Sequence, residues 1–195
     1  MAKRDPEGTR ARLLEAAFHE FSQFGPAGAR VQRIVERAQV NPRMLYHYFG
    51  SKEGLFRELL RTKTEEMAAR RDRPAESFPA AIGDVALRMF EDRAWIRMLM
   101  WEALSYGDGN IVLEAERSAA WAPAISRLQE MITSGALPEG LDAAQFQLSL
   151  IALATYPVAF PNTSKMVTGM DPESNEFAEA RGEAVGGLVE ALLRR

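Results

Sequence analysis

The stretch Asn41–Lys52, with the sequence NPRMLYHYFGSK, holds five cationic or ring-bearing side chains that can donate hydrogen bonds: Arg43, Tyr46, His47, Tyr48 and Lys52. Arginine presents two parallel donors to a pair of acceptors, whereas tyrosine and lysine suit single oxygen atoms. Consecutive helical positions point about 100° apart, so three neighbouring rings cannot all face one core. Some of these side chains must therefore face outward, where an anionic, acceptor-rich partner is the chemistry that they suit.

The element that positions these side chains is a short helix. Asn41 is a good N-cap, and Pro42 suits the first helical position because the N–H that proline lacks has no helical partner there. The helix is predicted to begin at Pro42 and to end near Gly50. Leu45 and Phe49 lie four residues apart and form its inward stripe. The polar side chains between them are therefore left wholly or partly exposed.

A second short amphipathic helix, Val31–Ala38, precedes this one across a tight turn. Such a pair is a helix-turn-helix, whose second helix can lie in the major groove of DNA. In that arrangement Arg43 is predicted to bond guanine O6 and N7, although a phosphate-bound or solvated arginine remains the alternative. Tyr46 and Tyr48 are predicted to bond phosphate oxygens, and His47 to contact the DNA backbone. Lys52 is predicted to form an anion site with the free N–H groups that follow Ser51.

The charge distribution agrees with a polyanionic partner for the amino-terminal part. Residues 1–63 hold 12 basic and 7 acidic residues, a net charge of +5, and residues 64–195 hold 12 and 20, a net charge of −8. A basic module followed by an acidic body is typical of a chain in which only the module meets nucleic acid.

The whole chain is predicted to be all-α, with about nine helices, because helical periodicity recurs throughout and strand alternation does not. Pro123 is expected to kink or restart the long seventh helix, and residues 161–172 are predicted to form a loop. The predicted helices are Thr9–Phe24, Val31–Ala38, Pro42–Gly50, Ser51–Arg71, Phe78–Glu91, Arg93–Tyr106, Ile111–Ser134, Asp142–Tyr156 and Glu173–Arg194.

Composition excludes several classes of protein. The chain has no cysteine and only two histidines, so neither a disulfide framework nor a metal site is expected, and no cofactor motif is present. An enzyme that uses carboxylate chemistry in the helical body is disfavoured because no histidine, phosphate loop or nucleophile elbow occurs there. The first residues carry no secretory signal, so a soluble cytoplasmic protein without membrane contact is expected. A helical protein-interaction adaptor without DNA binding remains the alternative.

Residues 31–56, VQRIVERAQVNPRMLYHYFGSKEGLF, resemble the DNA-binding domain of the TetR family of bacterial regulators. The best-matching pieces are Leu-Tyr-x-Tyr-Phe, residues 45–49, and Ser-Lys-Glu-x-Leu, residues 51–55. The sequence departs from the family pattern at Arg30, where a small hydroxyl residue usually caps the helix, at Gln39, where the turn usually has glycine, and at Arg43, where glycine is frequent. Operator preference therefore cannot be copied from relatives.

The resemblance implies a ligand-responsive transcription regulator, expected to be a repressor that a small apolar or amphipathic effector releases from a palindromic double-stranded DNA operator. It implies a DNA-binding domain at 1–50, a connecting helix at 51–73 and a ligand-binding and dimerisation body at 74–195. The connecting helix is expected to couple the other two. The predicted DNA-binding residues are Asn41, Pro42, Arg43, Tyr46, His47, Tyr48 and Lys52.

Two further sets of residues are predicted in the body. Methionine and aromatic residues at helical spacing are the candidates for an effector pocket, with simple core packing as the alternative. Glu91 and Glu102 would favour a cationic ligand there, unless they lie on a solvated face. The pocket candidates are Met67, Met89, Phe90, Met98, Trp101, Trp121 and Tyr156. A homodimer through the last two helices is predicted from an apolar stripe that could instead complete the subunit core: Phe177, Val185, Leu188, Val189 and Leu192.

Overall fold

The computed structural model describes residues 5–71, 77–107 and 109–194, and in these ranges the chain forms eleven α-helices and no strand. The predicted all-α class is confirmed. The helices are α1 Pro6–Gly28, α2 Val31–Ala38, α3 Pro42–Phe49, α4 Lys52–Arg71, α5 Phe78–Glu91, α6 Arg93–Tyr106, α7 Glu114–Ala119, α8 Ala122–Thr133, α9 Ala143–Ala159, α10 Pro161–Thr168 and α11 Asn175–Leu193.

The structure differs from the predicted helices in three parts of the chain. α1 is interrupted at Gly25, where the predicted helix ends, and then continues for one short turn to Gly28. The predicted seventh helix is two helices, because the chain restarts at Ala122 and Pro123 occupies the first turn of α8. The predicted loop at 161–172 is wrong, since α10 fills most of it. Its eight residues are too few to show a clear apolar period.

The chain divides into two compact units. The first comprises the described residues up to Met67 together with Arg97–Arg117, and the second comprises Ala68–Ile96 together with the described residues from Ser118 onward. α4 and α6 each contribute residues to both units. The predicted functional division at residues 50 and 73 stays a prediction, and its second boundary lies outside the described residues.

The core of the first unit is apolar and rich in rings. Phe21 of α1 packs edge-to-face on Phe56 of α4 with ring centroids 4.9 Å apart, and Phe56 also stacks on Tyr106 of α6. Ile34 of α2 and Leu45 of α3 are fully buried. The two short helices are therefore held by buried side chains, and burial of Ile34 or Leu45 is worth about 1.5–3 kcal/mol relative to exposure.

The second unit is built on close packing of α5 against α11. A Cβ atom on Gly83 would lie 3.1 Å from the carbonyl oxygen of Gly182, and one on Gly182 would lie 3.0 Å from Leu87. The two helix backbones approach each other at these glycines because no side chain separates them. Ala86 and Val185 are buried beside them together with Ala154 of α9. Contacts of α8 and α10 with α9 complete the unit.

The apolar sequence of α9 is partly buried. Leu150, Ala154 and Pro157 of this helix are buried. Among the described helices, none is by itself long and apolar enough to cross a membrane. Only α9 and α10 taken together reach that length and hydropathy, and the chain bends by 92° between them.

Candidate DNA-binding surface

The turn between α2 and α3 is built by the backbone alone. Gln39 adopts a left-handed conformation with φ of 54°, as expected for a position where glycine is usual. Its N–H donates to the carbonyl of Glu36 at 3.1 Å, and the N–H of Val40 donates to the carbonyl of Val35 at 3.0 Å. These bonds close the carboxyl end of α2 and turn the chain toward α3.

α3 has caps at both ends. The Asn41 side-chain oxygen accepts from the N–H of Arg43 at 2.9 Å, and Pro42 occupies the first helical position. At the other end the N–H of Gly50, with φ of 73°, donates to the carbonyl of Tyr46 at 2.9 Å. Leu45 anchors the helix by complete burial. The predicted helix and its caps are confirmed.

The outward face of α3 carries the predicted donors. Arg43 and His47 are exposed, Tyr46 is 53% exposed, and Tyr48 is half-buried with its ring 5.2 Å from that of His47. Among the described residues, none accepts a hydrogen bond from the side chains of Arg43, Tyr46 or Tyr48. These donors are therefore free to bond acceptors of a partner, although their role in DNA contact stays a prediction.

The start of α4 differs from the predicted anion site. The Ser51 hydroxyl oxygen accepts from the N–H of Gly54 at 3.0 Å. A hydrogen bond from its own backbone N–H lowers the pKa of Glu53, and the Ser51 hydroxyl and the Lys52 charge lower it further against a small effect of burial. The N–H groups at this end are thus partly satisfied by the chain itself, because Ser51 and Glu53 form a local cap.

The ammonium group of Lys52 is held close to the beginning of α2. Its Nζ donates to the carbonyl of Ala29 at 3.2 Å, and the side chain is half-buried. A lysine ammonium carries three N–H donors, so donors remain for a phosphate oxygen. Lys52 therefore links α4 to Ala29, two residues before α2, and is also a predicted phosphate contact.

A buried ion pair that the sequence analysis missed supports α2 from behind. Glu20 of α1 is 4% exposed, and its Oε1 accepts from the N–H of Arg30 at 2.9 Å and from Nε of Arg33 at 2.7 Å. The Arg33 guanidinium also lies 4.2 Å from the ring centroid of Phe24. Arg30 has no side-chain cap to offer α2, and Glu20 supplies a carboxylate at that end instead. Helical spacing indicates that Glu20 lies on the buried face, since it follows the buried Ala16 and Ala17 by four and three residues, but it does not indicate the partner.

This ion pair predicts a dependence of stability on pH. Burial alone would raise the pKa of Glu20, but the hydrogen bonds from Arg33 and Arg30, with the Arg33 charge, hold it below its ordinary value of 4.5. A lowered folded-state pKa contributes stability that is present above the ordinary value and is lost as the pH falls through the folded one. Urea unfolding should therefore show a stability difference between the wild type and Glu20→Gln that shrinks below about pH 4.5.

The exposed Glu15 of the same helix provides the control for that measurement. Glu15→Gln should follow the wild-type pH profile in the acid range. A stability difference for Glu20→Gln that stays constant from pH 6 to pH 3 would show that the Glu20 charge does not stabilise the fold.

The predicted effector-pocket residues are divided between the two units. In the first, Met67 is half-buried, Met98 is fully buried, and the Trp101 ring packs where a Cβ atom on Gly25 would lie, at 3.0 Å. In the second, Phe90 is buried with its ring 5.6 Å from that of Phe177. Met89 packs on the Ala86 cluster, Trp121 is half-buried at the start of α8, and Tyr156 is exposed.

The carboxylate of Glu102 does not favour a cationic ligand. Glu102 is buried, and its Oε1 lies 2.6 Å from Nη1 of Arg117, which also donates to the carbonyl of Val112. Its charge is neutralised within the first unit. Glu91, which was also expected to favour a cationic ligand unless it lies on a solvated face, is exposed.

A cavity in the second unit shares Tyr156 with the predicted pocket. It has a volume of about 320 Å³, at the small end of the range for ligand sites. α9, α10, α11 and the residues between the last two line it, and it opens to solvent. Its lining residues are Tyr156, Pro157, Thr163, Ser164, Val167, Thr168, Met170, Phe177, Ala180, Arg181 and Ala184.

The predicted dimer residues lie on two faces of α11. Three of them are buried in the second unit, as expected if the apolar stripe completes the subunit core: Phe177, Val185 and Val189. Only residues at the surface can contact a second copy. Leu188 is 53% exposed and Leu192 is 37% exposed. The pattern could not separate the faces, because the apolar residues extend over more than one stripe.

As for metals, no group of three or more ligating side chains occurs in the described ranges.

Comparison with known proteins places these features in a family. Residues 13–59 match the model described as "Bacterial regulatory proteins, tetR family". The chain is 32% identical over 176 residues to the HTH-type transcriptional repressor SCO4008 of Streptomyces coelicolor, which covers 87% of this chain and 88% of the relative.

Solved structures agree with the fold. SCO4942 of Streptomyces coelicolor superposes with a TM-score of 0.80 at 24% identity, over 96% of this chain and 99% of that one. FadR of Bacillus subtilis, solved in complex with stearoyl-CoA, superposes with a TM-score of 0.67 at 18% identity, over 92% and 96% of the two chains.

Proposed function

Because the chain belongs to the tetR family of bacterial regulatory proteins, whose members are DNA-binding transcription regulators and not enzymes, we propose that α3 reads a palindromic operator from a homodimer. The proposed regulator is a repressor that acts in the cytoplasm, where the bacterial chromosome lies. A small apolar or amphipathic effector releases it from DNA.

The observation that carries the DNA-binding proposal is the outward face of α3. Arg43, Tyr46 and His47 are exposed on a helix that is capped at both ends and anchored by Leu45. Because the backbone is fixed, the donors on this face bind without a large loss of conformational freedom. Arg43 lies in the first turn, the part of a recognition helix that meets base edges. We therefore assign base contact to Arg43 and phosphate contact to the tyrosines and Lys52.

The homodimer is supported by apolar side chains that the second unit leaves exposed. The large hydrophobic residues that α9, α10 and α11 leave exposed outside the cavity, here called the apolar surface, are Leu148, Phe160, Met166, Leu188 and Leu192. Burying such a set against a second copy is favourable in proportion to its area. A twofold dimer then reads two half-sites about 34 Å apart, or a multiple of that spacing, which a single head cannot do.

Release by an effector requires that the effector favour a state in which the two heads no longer fit the operator. A coupling free energy of about 1–3 kcal/mol is usual for such linkage. α4 is the proposed connection, since it runs without interruption from Lys52 beside α3 to Arg71. The FadR structure with stearoyl-CoA is a precedent for an effector in a protein of similar fold.

DNA retardation with two variants tests the assignment of contacts. Lys52→Ala should weaken binding to every sequence and reduce the slope of log K against log salt by about one unit, because one phosphate contact is lost. Arg43→Ala should cost about 1–3 kcal/mol on the preferred operator and relax the preference at one base pair of each half-site. The probe is a fragment that contains the DNA flanking the gene.

Each variant can contradict its assignment. An unchanged salt slope for Lys52→Ala would remove Lys52 from the phosphate contacts. Equal weakening on all sequences for Arg43→Ala would exclude base readout by Arg43. If the wild-type protein retards no DNA at low salt, the alternative of a helical interaction adaptor replaces the proposed function.

A further inference from the structure

Arg181 stands on an uncharged face of α11. Arg181 lines the 320 Å³ cavity of the second unit. Its helical neighbours three and four residues away are Phe177, Ala178, Ala184 and Val185, none of which carries a charge. Charged side chains are seldom placed on such a face unless they are paired, because burial penalises the charged form. The position of Arg181 therefore needs an explanation.

Part of the explanation is a carbonyl that proline leaves unpaired. In α9 the carbonyl of Leu153 would accept from the N–H of residue 157, and Pro157 has none. Arg181 donates to this oxygen from Nε at 3.2 Å and from Nη2 at 2.8 Å. A guanidinium has five N–H donors, so this contact leaves Nη1 and part of Nη2 without an acceptor among the described residues. The carbonyl satisfies two donors but does not neutralise the charge.

Within the described part of the chain, no carboxylate forms an ion pair with Arg181. Burial lowers the pKa of the Arg181 guanidinium. Arginine nevertheless stays cationic in proteins at neutral pH. The other lining residues are apolar or carry hydroxyls, namely Thr163, Ser164 and Thr168. The Ser164 and Thr168 hydroxyls already donate to the backbone carbonyls of Phe160 and Ser164. The cavity therefore offers an anion one positive charge that no described carboxylate compensates, beside an apolar wall.

We propose that this cavity binds an anionic amphiphile, a carboxylate on an apolar chain, with the carboxylate at Arg181 and the chain along Tyr156, Val167 and Met170. Charge complementarity selects the anion, since a bidentate arginine–carboxylate pair supplies the missing counter-ion. The apolar walls select the chain. As the class of effector of the regulator, this assignment rests on the proposed function, but binding itself does not.

Binding is measured by titration calorimetry on the full chain without DNA. Decanoate is the probe, and 1-decanol and decyltrimethylammonium are neutral and cationic controls of the same chain length. Decanoate should bind and decyltrimethylammonium should not. Arg181→Gln should lower the affinity for decanoate at least about tenfold, the usual effect of losing a charged hydrogen bond. The same variant should change 1-decanol binding by less than about threefold.

Arg181 also holds the Leu153 carbonyl, so a merely structural role must be separated from charge selection. Arg181→Gln and Arg181→Lys both lose the paired donation and should be destabilised alike. Only Arg181→Lys retains the charge, so only it should keep the preference for decanoate over 1-decanol. Arg194→Gln, at an exposed arginine of the same chain end, should bind decanoate as the wild type does.

The cavity itself is tested by filling it. Ala180→Trp places a large side chain at the cavity wall and should abolish decanoate binding, whereas Ala144→Trp, at an exposed alanine of α9 outside the cavity, should not. Because both alanines are exposed, neither change should prevent folding.

The inference is overturned if the wild type does not bind decanoate, including the case in which a second copy covers the cavity. It is also overturned if Arg181→Gln lowers the affinities for decanoate and 1-decanol by the same factor. DNA retardation without decanoate tests the proposed function independently. Arg181-dependent binding of decanoate by a protein that retards no DNA would support this site while the regulator assignment fails.

Discussion

Gly25→Ala should lower the free energy of unfolding by about 2–4 kcal/mol. Gly25 interrupts α1 with φ of 67° and ψ of 174°, a combination that residues with a side chain adopt only under strain. The added Cβ would also lie 3.0 Å from ring atoms of Trp101. Backbone strain and displacement of a large ring therefore act together. Urea unfolding followed by circular dichroism measures the loss.

Gly28→Ala is the matched control, because Gly28 belongs to the same short turn. There the nearest neighbour of an added Cβ is the Phe24 Cβ at 3.4 Å, an ordinary contact. This change should be neutral or stabilising by up to about 1 kcal/mol, as for alanine in place of glycine in a helix. If the two variants were equally stable, the backbone at Gly25 could not have the strained conformation described above.

The two contributions at Gly25 can be separated in a Trp101→Ala background. Removing the ring relieves the steric contact but leaves the φ angle of residue 25 unchanged. Gly25→Ala should then cost only the backbone contribution, about 1–3 kcal/mol. A double-mutant cycle gives the difference as a coupling energy between the two residues.

Arg33→Met should lower the free energy of unfolding by about 2–3 kcal/mol at pH 7, because it leaves the buried Glu20 carboxylate without its counter-ion. This loss is smaller than the about 3–5 kcal/mol of a fully buried pair, since the Arg33 side chain is 36% exposed. The methionine preserves much of the packing over Phe24, so the lost charge dominates. Denaturant unfolding at pH 7 measures this difference.

Arg37→Met is the control for the charge change in α2. Arg37 is exposed, so its replacement should alter stability by less than about 1 kcal/mol. The loss in free energy of unfolding caused by Arg33→Met should also be smaller when Glu20 is replaced by leucine, since an apolar pair leaves no charge to compensate. Equal stabilities of Arg33→Met and Arg37→Met would mean that the Glu20 pair contributes nothing.

Local signals were sufficient for the helix-turn-helix. Asn41 and Pro42 fix the start of α3 by short-range hydrogen bonding and by proline geometry, and Leu45 fixes its inner face. Such features depend on neighbouring residues, which a sequence displays directly. Glu20 was missed because its partners lie 10 and 13 residues away, at Arg30 and Arg33. No helical spacing predicts that contact.

The body was harder to predict because apolar periodicity identifies a buried face but not what covers it. Trp95, Met98 and Trp101 share α6, yet Trp95 belongs to the second unit and the other two belong to the first. Within the first unit, Trp101 packs at Gly25. Likewise, Val185 and Leu188 lie three residues apart on α11, and one is buried and the other exposed. Arg181 was not singled out either, since its role depends on the carbonyl that Pro157 frees in another helix.

The left-handed Gln39 has a consequence for how such a protein can evolve. A residue with a side chain is disfavoured by about 1–2 kcal/mol in that conformation, and the exposed Gln39 side chain makes no compensating contact among the described residues. One substitution to glycine would therefore raise the stability margin without altering the reading face. That margin would let α3 accept otherwise destabilising changes, so new operator preferences become reachable by short mutational routes.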